Sequence, residues 1–458
     1  MKENAWTTYS EKDLEMLEAL MNGYKAFLTT SKTERECAAN IVDMASRSGY
    51  VSLEQVIKTG TVLRPGDKVY ATLMGKMVIL AHMGEQPLTE GVNIIGSHMD
   101  SPRLDVKQNP LYEESGLAYL DTHYYGGIKK YQWTTVPMAL HGVIIKKDGT
   151  CVPVNIGEGT DDPVFCISDL LVHLANAQTN KKAVDFIEGE KLDVLIGSRP
   201  LAGEKKNAVK ANILKLLKEK YDVEEDDFIS AEIEVVPAGA ARDFGLDRSM
   251  ILSYGQDDKV CVYTSLMALL AQEKISRTSI ALFVDKEETG SLGATGMQSR
   301  FFENTMAELL NACGQYSELA LRRTLSSSFM LSADVCAAYD PLYGDAFEKK
   351  NIAYFGQGVA FNKYTGARGK SGTNDANAEY VAKLRRIMDD NNVAFQTAEL
   401  GKVDAGGGGT IAYILALYGM NVMDCGVPVM SMHAPWEICS KSDIYETEKA
   451  YEAFYKDC

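Results

Sequence analysis

The stretch ALFVDKEETGSLGATGM, Ala281–Met297, decides how the fold is read. A short apolar run stops at Asp285, two glutamates stand side by side at Glu287 and Glu288, and glycines follow at 290, 293 and 296. An apolar run of this length, bounded by charge and glycine, has the character of a buried strand. The segment after it, GATGMQSRFFENTMAELLNACG, reads as a helix, and the same alternation continues on both sides. DKVCVYTSLMALLAQEK is helical and SSFMLSADV is a strand; NAEYVAKLRRIMDDNN is helical and VAFQTAEL a strand. GTIAYILALYG reads as a helix, MNVMDCGV as a strand and DIYETEKAYEAFYKDC as a last helix. Strand–helix alternation predicts an α/β fold, a mostly parallel mixed sheet flanked by helices.

Working outward, residues 11–30 space Leu14, Leu17, Leu20 and Met21 at helical intervals, and Thr33 with Glu36 forms a capping box for a second helix. DKVYATLMGKMVILAHM and GVNIIGSHMD read as strands of the same sheet. Between about Leu104 and Gly239 the character changes. Short strand-like pieces surround helix-like ones such as ISDLLVHLANAQ and AVKANILKLLKEKY. The expectation is one domain built from 1–103 and 240–458, with a mixed β-rich domain, 104–239, inserted into it.

Composition narrows the function. In 458 residues Lys plus Arg number 47 and Asp plus Glu 63, a net charge of −16, which disfavours nucleic acid as a partner. Nine scattered cysteines without a CxxC pair suit free thiols in a reducing compartment. The N-terminus lacks a signal-like apolar core, and no apolar run reaches the roughly 20 residues of a spanning helix. A soluble, cytoplasmic protein with no membrane partner is expected.

In doubly wound sheets, sites form beyond the carboxyl ends of the strands. After GVNIIGS come His98 and Asp100; after SIALFV come Asp285, Glu287 and Glu288; after SFMLSA comes Asp334; after DCGVPVMSM comes His433. Asp257 and Asp258 precede a helix. Each alone has an ordinary explanation, such as a helix cap, a turn or a solvated loop. Together they have the composition of a two-zinc hydrolase site, in which one carboxylate bridges the ions and another works as general base. Asp100, two residues along a strand from His98, lies on the same face and can accept the imidazole N–H. DAGGGGT, Asp404–Thr410, either brings backbone close to substrate or is a flexible turn. Its spacing fits neither a dinucleotide nor a P-loop motif.

The chain resembles the M18 metallopeptidases, the family of aspartyl aminopeptidase and vacuolar aminopeptidase I. The resemblance runs through GSHMDSPRLDVK, YYGGI, ISDLLVHL, GLDRSMILSYGQDDKVC, VDKEETGSLGATG, LSADVCAAYDPLY and VPVMSMHAPWE. It implies a zinc-dependent aminopeptidase with two zinc ions per subunit, for which cobalt or manganese can substitute. It implies that His98, Asp257 and His433 hold one ion, that Asp257, Glu288 and Asp334 hold the other, and that Glu287 is the general base. The family commonly has Asp-Asn where this chain has Asp257-Asp258, which leaves open which of the two bridges. It implies that His173 helps complete the substrate site, in its own subunit or a neighbouring one; a packed helix histidine is the alternative. The inserted domain is implied to serve dimerisation and substrate access in a homo-oligomer, a tetrahedral dodecamer. Relatives that favour acidic N-terminal residues place a basic side chain near Phe361-Asn362-Lys363. With Asn362 in that place the counter-charge is missing, and with Lys363 it is present; the reading leans to neutral or apolar N-terminal residues, with acidic ones second. A related dinuclear carboxypeptidase or deacylase, and a non-enzymatic scaffold, are the rival readings.

Overall fold

The computed structural model describes residues 3–458, which divide into two compact units. Unit 1 comprises Met1–Asp100, Ala241–Met432 and Glu437–Cys458; unit 2 comprises Ser101–Ala240 and His433–Trp436.

Unit 1 opens with helix α1, Glu11–Thr30, capped by Ser10 and Asp13 in a reciprocal box. Helix α2, Glu34–Arg47, carries the Thr33–Glu36 box the sequence predicts. On α1 the buried stripe is Leu17, Met21, Tyr24, Phe27 and Leu28, whereas Leu14 is exposed. The apolar face therefore lies further toward the C-terminus than the Leu14–Met21 spacing suggests. Then come β1 (Val51–Ser52), β2 (Lys68–Leu73), β3 (Met77–His82) and β4 (Asn93–His98). After unit 2 follow α3 (Gln256–Leu270), β5 (Ser279–Val284), β6 (Phe329–Ser332), β7 (Val359–Asn362), α4 (Ala378–Asp390), β8 (Phe395–Thr397), β9 (Asn421–Gly426) and α5 (Lys441–Asp457).

The strands form one nine-stranded sheet in the order β1-β2-β3-β5-β4-β6-β9-β7-β8. Five of its eight pairings are parallel and three antiparallel, so it is mixed but mostly parallel, as predicted. Every residue of β3, β4 and β5 is buried. Successive side chains point to opposite faces, and two separate cores result. Val78, Leu80, Ile95, Ala281, Phe283 and Leu331 join one; Met77, Ile79, Ile94, Ile280, Leu282 and Met330 join the other. Burial on both faces is why these strands read as continuous apolar runs rather than alternating ones. Helix α5 adds buried tyrosines whose hydroxyls find sheet carbonyls, Tyr451 to Cys425 at 2.6 Å and Tyr455 to Ile280 at 3.1 Å. A second, five-stranded sheet, from Arg242–Phe244 to Cys336–Ala337, and a two-stranded one, Gly366–Ala367 with Gly407–Gly408, also belong to unit 1.

Unit 2 is a six-stranded antiparallel sheet with short helical pieces and one longer helix, Ala208–Tyr221, which is the predicted AVKANILKLLKEKY. The helix expected over ISDLLVHLANAQ is absent. In its place stand the 3-10 turn Val172–Leu174 and the short helix Asn176–Thr179, with Leu171 extended between them and Asp169. Asp169 accepts the N–H of Leu170 at 2.8 Å and the amide of Gln178 at 2.9 Å, side-chain bonds that compete with a helical turn. Two other helices are shorter than predicted: Phe301–Ala312 begins only after the glycine-rich loop, and the one after the glycine run is Ala412–Ala416. Among the described residues no helix is long and apolar enough to cross a membrane.

Candidate metal centre

Parallel neighbours β5, β4 and β6 end side by side, and that is where unit 1 gathers its acids. Val284 pairs with His98 across β5 and β4, and Ser332 with Gly96 across β6 and β4. Two residues further along, Asp334 comes level with His98. The hydrogen bond from the Ala333 N–H to the Gly96 carbonyl, 2.7 Å, carries the register into the turn.

Asp257 and Asp258 open α3 but are not helical in backbone conformation; the peptide bond joining them is cis. Their placement depends on two residues that the sequence reading passed over. Buried Gln256 donates to the carbonyls of Ile251 and Glu437, at 3.2 and 2.7 Å, and accepts from the Tyr24 hydroxyl at 3.3 Å. Buried Glu437 accepts the Asp257 N–H at 3.0 Å. A glutamine beside two aspartates at the head of an otherwise apolar helix was the one available signal.

His98, Asp257 and Asp334 each bring a ligand atom within 4.8 Å of the others. The His98 Nε2 lies 3.4 Å from Asp257 Oδ1, 3.9 Å from Asp334 Oδ1 and 3.9 Å from Glu287 Oε2. Bonds of about 2.0–2.1 Å in a tetrahedral zinc shell put neighbouring ligand atoms roughly 3.3 Å apart, so this spacing fits one ion. The grouping differs from the one the family resemblance implies: Asp334 sits with His98 and Asp257. His433 belongs to unit 2, where its Nδ1 lies 2.9 Å from the Gly127 carbonyl oxygen. A neutral ring that donates from Nδ1 carries its lone pair on Nε2, the atom a metal takes.

Asp258 takes another place. Fully buried, it accepts the backbone N–H of His98 on Oδ2 at 3.2 Å. Asp100 faces the His98 ring as expected and does more. The His98 Nδ1 is 3.0 Å from the Asp100 backbone carbonyl oxygen and 3.4 Å from its carboxylate, so the carbonyl is the nearer acceptor. The Asp100 carboxylate accepts the N–H groups of Glu287 and Glu288, each at 3.2 Å. Those residues form the short 3-10 turn Glu287–Thr289.

Electrostatics agree with a cation site. Burial holds the Asp258 carboxyl well above the usual range, against the pull of His98. Burial also raises Asp334, reinforced by the charges of Asp258, Glu287 and Asp257. Burial would depress His98, but the carboxylates of Asp100, Asp257 and Asp258 outweigh it and hold the imidazole well above its ordinary value. Acids crowded in this way are relieved by a dication, which reverses the local balance. The donor set, one imidazole nitrogen and carboxylate oxygens, suits zinc.

His173 lies in unit 2 on the exposed Val172–Leu174 turn, not packed in a helix. Leu170, Leu171, Val172 and Leu174 around it are all exposed.

Comparison with known proteins shows the family and the fold. Residues 27–455 match the profile of the aminopeptidase I zinc metalloproteases (M18). The chain is 59% identical over 452 residues to the "Probable M18 family aminopeptidase 1" of Clostridium acetobutylicum, covering 98% of this chain and 97% of that one. The crystal structure of an M18 aminopeptidase from Thermotoga maritima superposes with a TM-score of 0.95 at 43% identity, covering 100% of both chains. At 18% identity, the yeast mApe1 dodecamer shares the fold with a TM-score of 0.77 over 96% of this chain and 97% of that one.

Proposed function

The chain belongs to the M18 family of zinc metalloaminopeptidases, and from that premise we propose that it removes N-terminal residues from peptides with a co-catalytic pair of zinc ions. His98, Asp257 and Asp334 would hold one ion. Asp257 would also serve the second, with Glu288 as a further ligand, and His433 would be a ligand on the strength of its motif. Cobalt or manganese can substitute. The observation that carries this reading is the 3.4 Å spacing of His98 Nε2 and Asp257 Oδ1, with Glu287 Oε2 3.9 Å from the same nitrogen.

When bound, zinc supplies Lewis-acid polarisation of the scissile carbonyl and activation of water near neutral pH. Glu287 is the general base. Its carboxylate accepts the proton of the attacking water and returns it to the leaving amine. Asp100 keeps Glu287 and Glu288 in place by holding their backbone N–H groups. Adjacent residues on one turn can thus divide the work, Glu288 toward metal and Glu287 toward water.

Neutral or apolar N-terminal residues are the favoured substrates, with acidic ones second. Asn362 is buried and accepts the Cys336 thiol at 3.5 Å, so it supplies no positive charge of its own for an acidic side chain. The Lys363 ammonium lies over the Tyr364 ring at 5.1 Å. The inserted domain, 104–239, serves dimerisation and substrate access, and His173 contributes to the substrate site. The exposed apolar cluster at Leu170, Leu171, Val172 and Leu174 supports a homo-oligomer, a tetrahedral dodecamer in this reading, because exposed apolar patches mark contact surfaces. The protein works in the cytoplasm.

Glu287→Gln, with zinc content measured in parallel, tests the core of the reading. Turnover should fall by about 10² or more with metal retained, whereas Glu288→Gln should lose metal. Full activity and two zincs in both variants would defeat it. A panel of aminoacyl substrates tests the preference.

A further inference from the structure

We propose that Asp285 is a positioning residue for the reaction, holding the loop that presents Glu287 and Glu288. The inference rests on the base and ligand roles assigned to those two glutamates above. Asp285 follows β5 directly and is wholly buried. A carboxylate so placed needs partners, and its two oxygens take them from opposite ends of one loop. Oδ1 accepts the N–H of Lys286 at 2.7 Å, where the loop leaves the strand. Oδ2 accepts the Thr295 hydroxyl at 2.6 Å, where the loop returns. The Asp285 N–H donates to the Thr295 carbonyl at 3.2 Å, and Asp285 bridges to Gly296. One side chain therefore closes the loop across ten residues.

What it closes is a tightly specified turn. Lys286 adopts φ +69, in the left-handed region where a side chain is disfavoured. Its N–H bond to the Asp285 carboxylate holds that conformation locally. The Lys286 carbonyl accepts from the Ser291 N–H at 2.7 Å, and the Ser291 carbonyl from the Gln298 N–H at 3.1 Å. A Cβ on Gly296 would overlap the Ser291 carbonyl, so the loop packs against its own return limb. Asp100, two residues past β4, grips the first limb of this loop at Glu287 and Glu288, while Asp285 ties its two ends. Neither grip replaces the other, because a loop held only on its first limb leaves its return limb free to shift. An error of about 1 Å at the base is enough to cost about 10²-fold in rate.

The experiment uses the full-length, zinc-loaded protein. Asp285→Ala, Asp285→Asn, Thr295→Val and Glu287→Gln are compared for kcat, KM, zinc per chain and amide hydrogen exchange of segment 286–296. Asp285→Ala should lower kcat by about 30- to 100-fold with KM within about twofold and zinc retained, and should speed exchange in 286–296 without changing it in β4. Asp285→Asn should recover most of the loss, since its amide can still accept from Lys286 and donate to Thr295. Thr295→Val, which removes one hydroxyl, should fall between, and it carries the test if Asp285→Ala does not fold. Wild-type kcat and unchanged exchange in Asp285→Ala and Thr295→Val overturn the inference. So does an Asp285→Asn variant as slow as Asp285→Ala with unchanged exchange. Full turnover in Glu287→Gln would instead overturn the base assignment, leaving the exchange result to judge Asp285.

Discussion

The Asp100 carboxylate accepts the backbone N–H of Glu287 at 3.2 Å, across 187 residues of sequence. Its second oxygen accepts the N–H of Glu288 at the same distance. Asp100 therefore acts on the glutamate turn, while its own backbone carbonyl serves the His98 ring. Asp100→Asn separates these jobs. The carbonyl remains, but the amide nitrogen of asparagine must face one of the two N–H groups. A buried donor left unmatched costs about 1–3 kcal/mol. The expected outcome is a lowered Tm and a kcat reduced by about 10- to 100-fold, with zinc affinity by chelator competition nearly unchanged. A pure loss of zinc affinity with normal kcat at saturating metal would return Asp100 to the role of an imidazole acceptor.

The two aspartates at the head of α3 should behave differently. Asp257 stands 3.4 Å from His98 Nε2, whereas Asp258 turns to the His98 backbone and is kept well above the usual carboxylate range by burial. A carboxyl held in its neutral form is closely mimicked by an amide. Asp258→Asn should bind zinc like the parent and be as stable or slightly more so. Asp257→Asn should lose bound metal, with affinity down by about 100-fold or more. Metal analysis after dialysis against a weak chelator checks both. Equal zinc loss in the two variants would reopen the question of which aspartate bridges.

Much of this centre was legible because it follows from local facts. His98, Glu287, Glu288 and Asp334 each come just after a short apolar run, and a parallel sheet delivers such positions to one edge. What escaped the sequence are relationships across long separations. Nothing near Asp257 announces that Glu437, 180 residues away, will accept its N–H. Nothing near Asp334 shows that β6 pairs with β4, which sets Asp334 beside His98. Register between strands is a property of the folded sheet. The helix predicted over His173 failed for a local reason: spacing suggested one, but the Asp169 side chain accepts the Leu170 N–H and the Gln178 amide in a turn.

A pH dependence of stability should trace to Asp424 on β9. Burial pushes its carboxyl up to about 7, against the hydrogen bond from the Thr410 hydroxyl at 2.5 Å. The unfolded chain releases this proton near pH 4, and the native state near 7. Between those values the native state binds more protons, so raising the pH destabilises it. The contribution is full below about pH 4 and gone above about pH 7. Asp424→Asn keeps an acceptor for Thr410 but does not titrate. Relative to the parent it should gain stability as pH rises from about 4 to 7, by an amount on the order of a few kcal/mol. Denaturant unfolding of both proteins at pH 5 and 8 measures the difference; parallel curves would show that Asp424 is not the group responsible.

Gly426 ends β9 directly against the backbone of Asp334. A Cβ added there would overlap the Asp334 carbonyl oxygen and come within 3.1 Å of Cys261 Sγ. The obstacle is backbone rather than a flexible side-chain end, so the segment carrying Asp334, just past β6, must move. Core overpacking of this kind costs typically about 1–3 kcal/mol. The shift falls on a residue whose carboxylate stands 3.9 Å from His98 Nε2, so the stability loss should be accompanied by a metal defect. Gly426→Ala is expected to lower Tm, weaken zinc binding by about 10-fold or more, and regain activity as zinc is added. Glycines at open positions provide the control. Gly116 meets nothing within 4 Å but has φ +79, so Gly116→Ala should cost stability through backbone strain alone and leave zinc affinity untouched. If both substitutions lower Tm equally and neither changes zinc affinity, Gly426 is a packing residue without influence on the site.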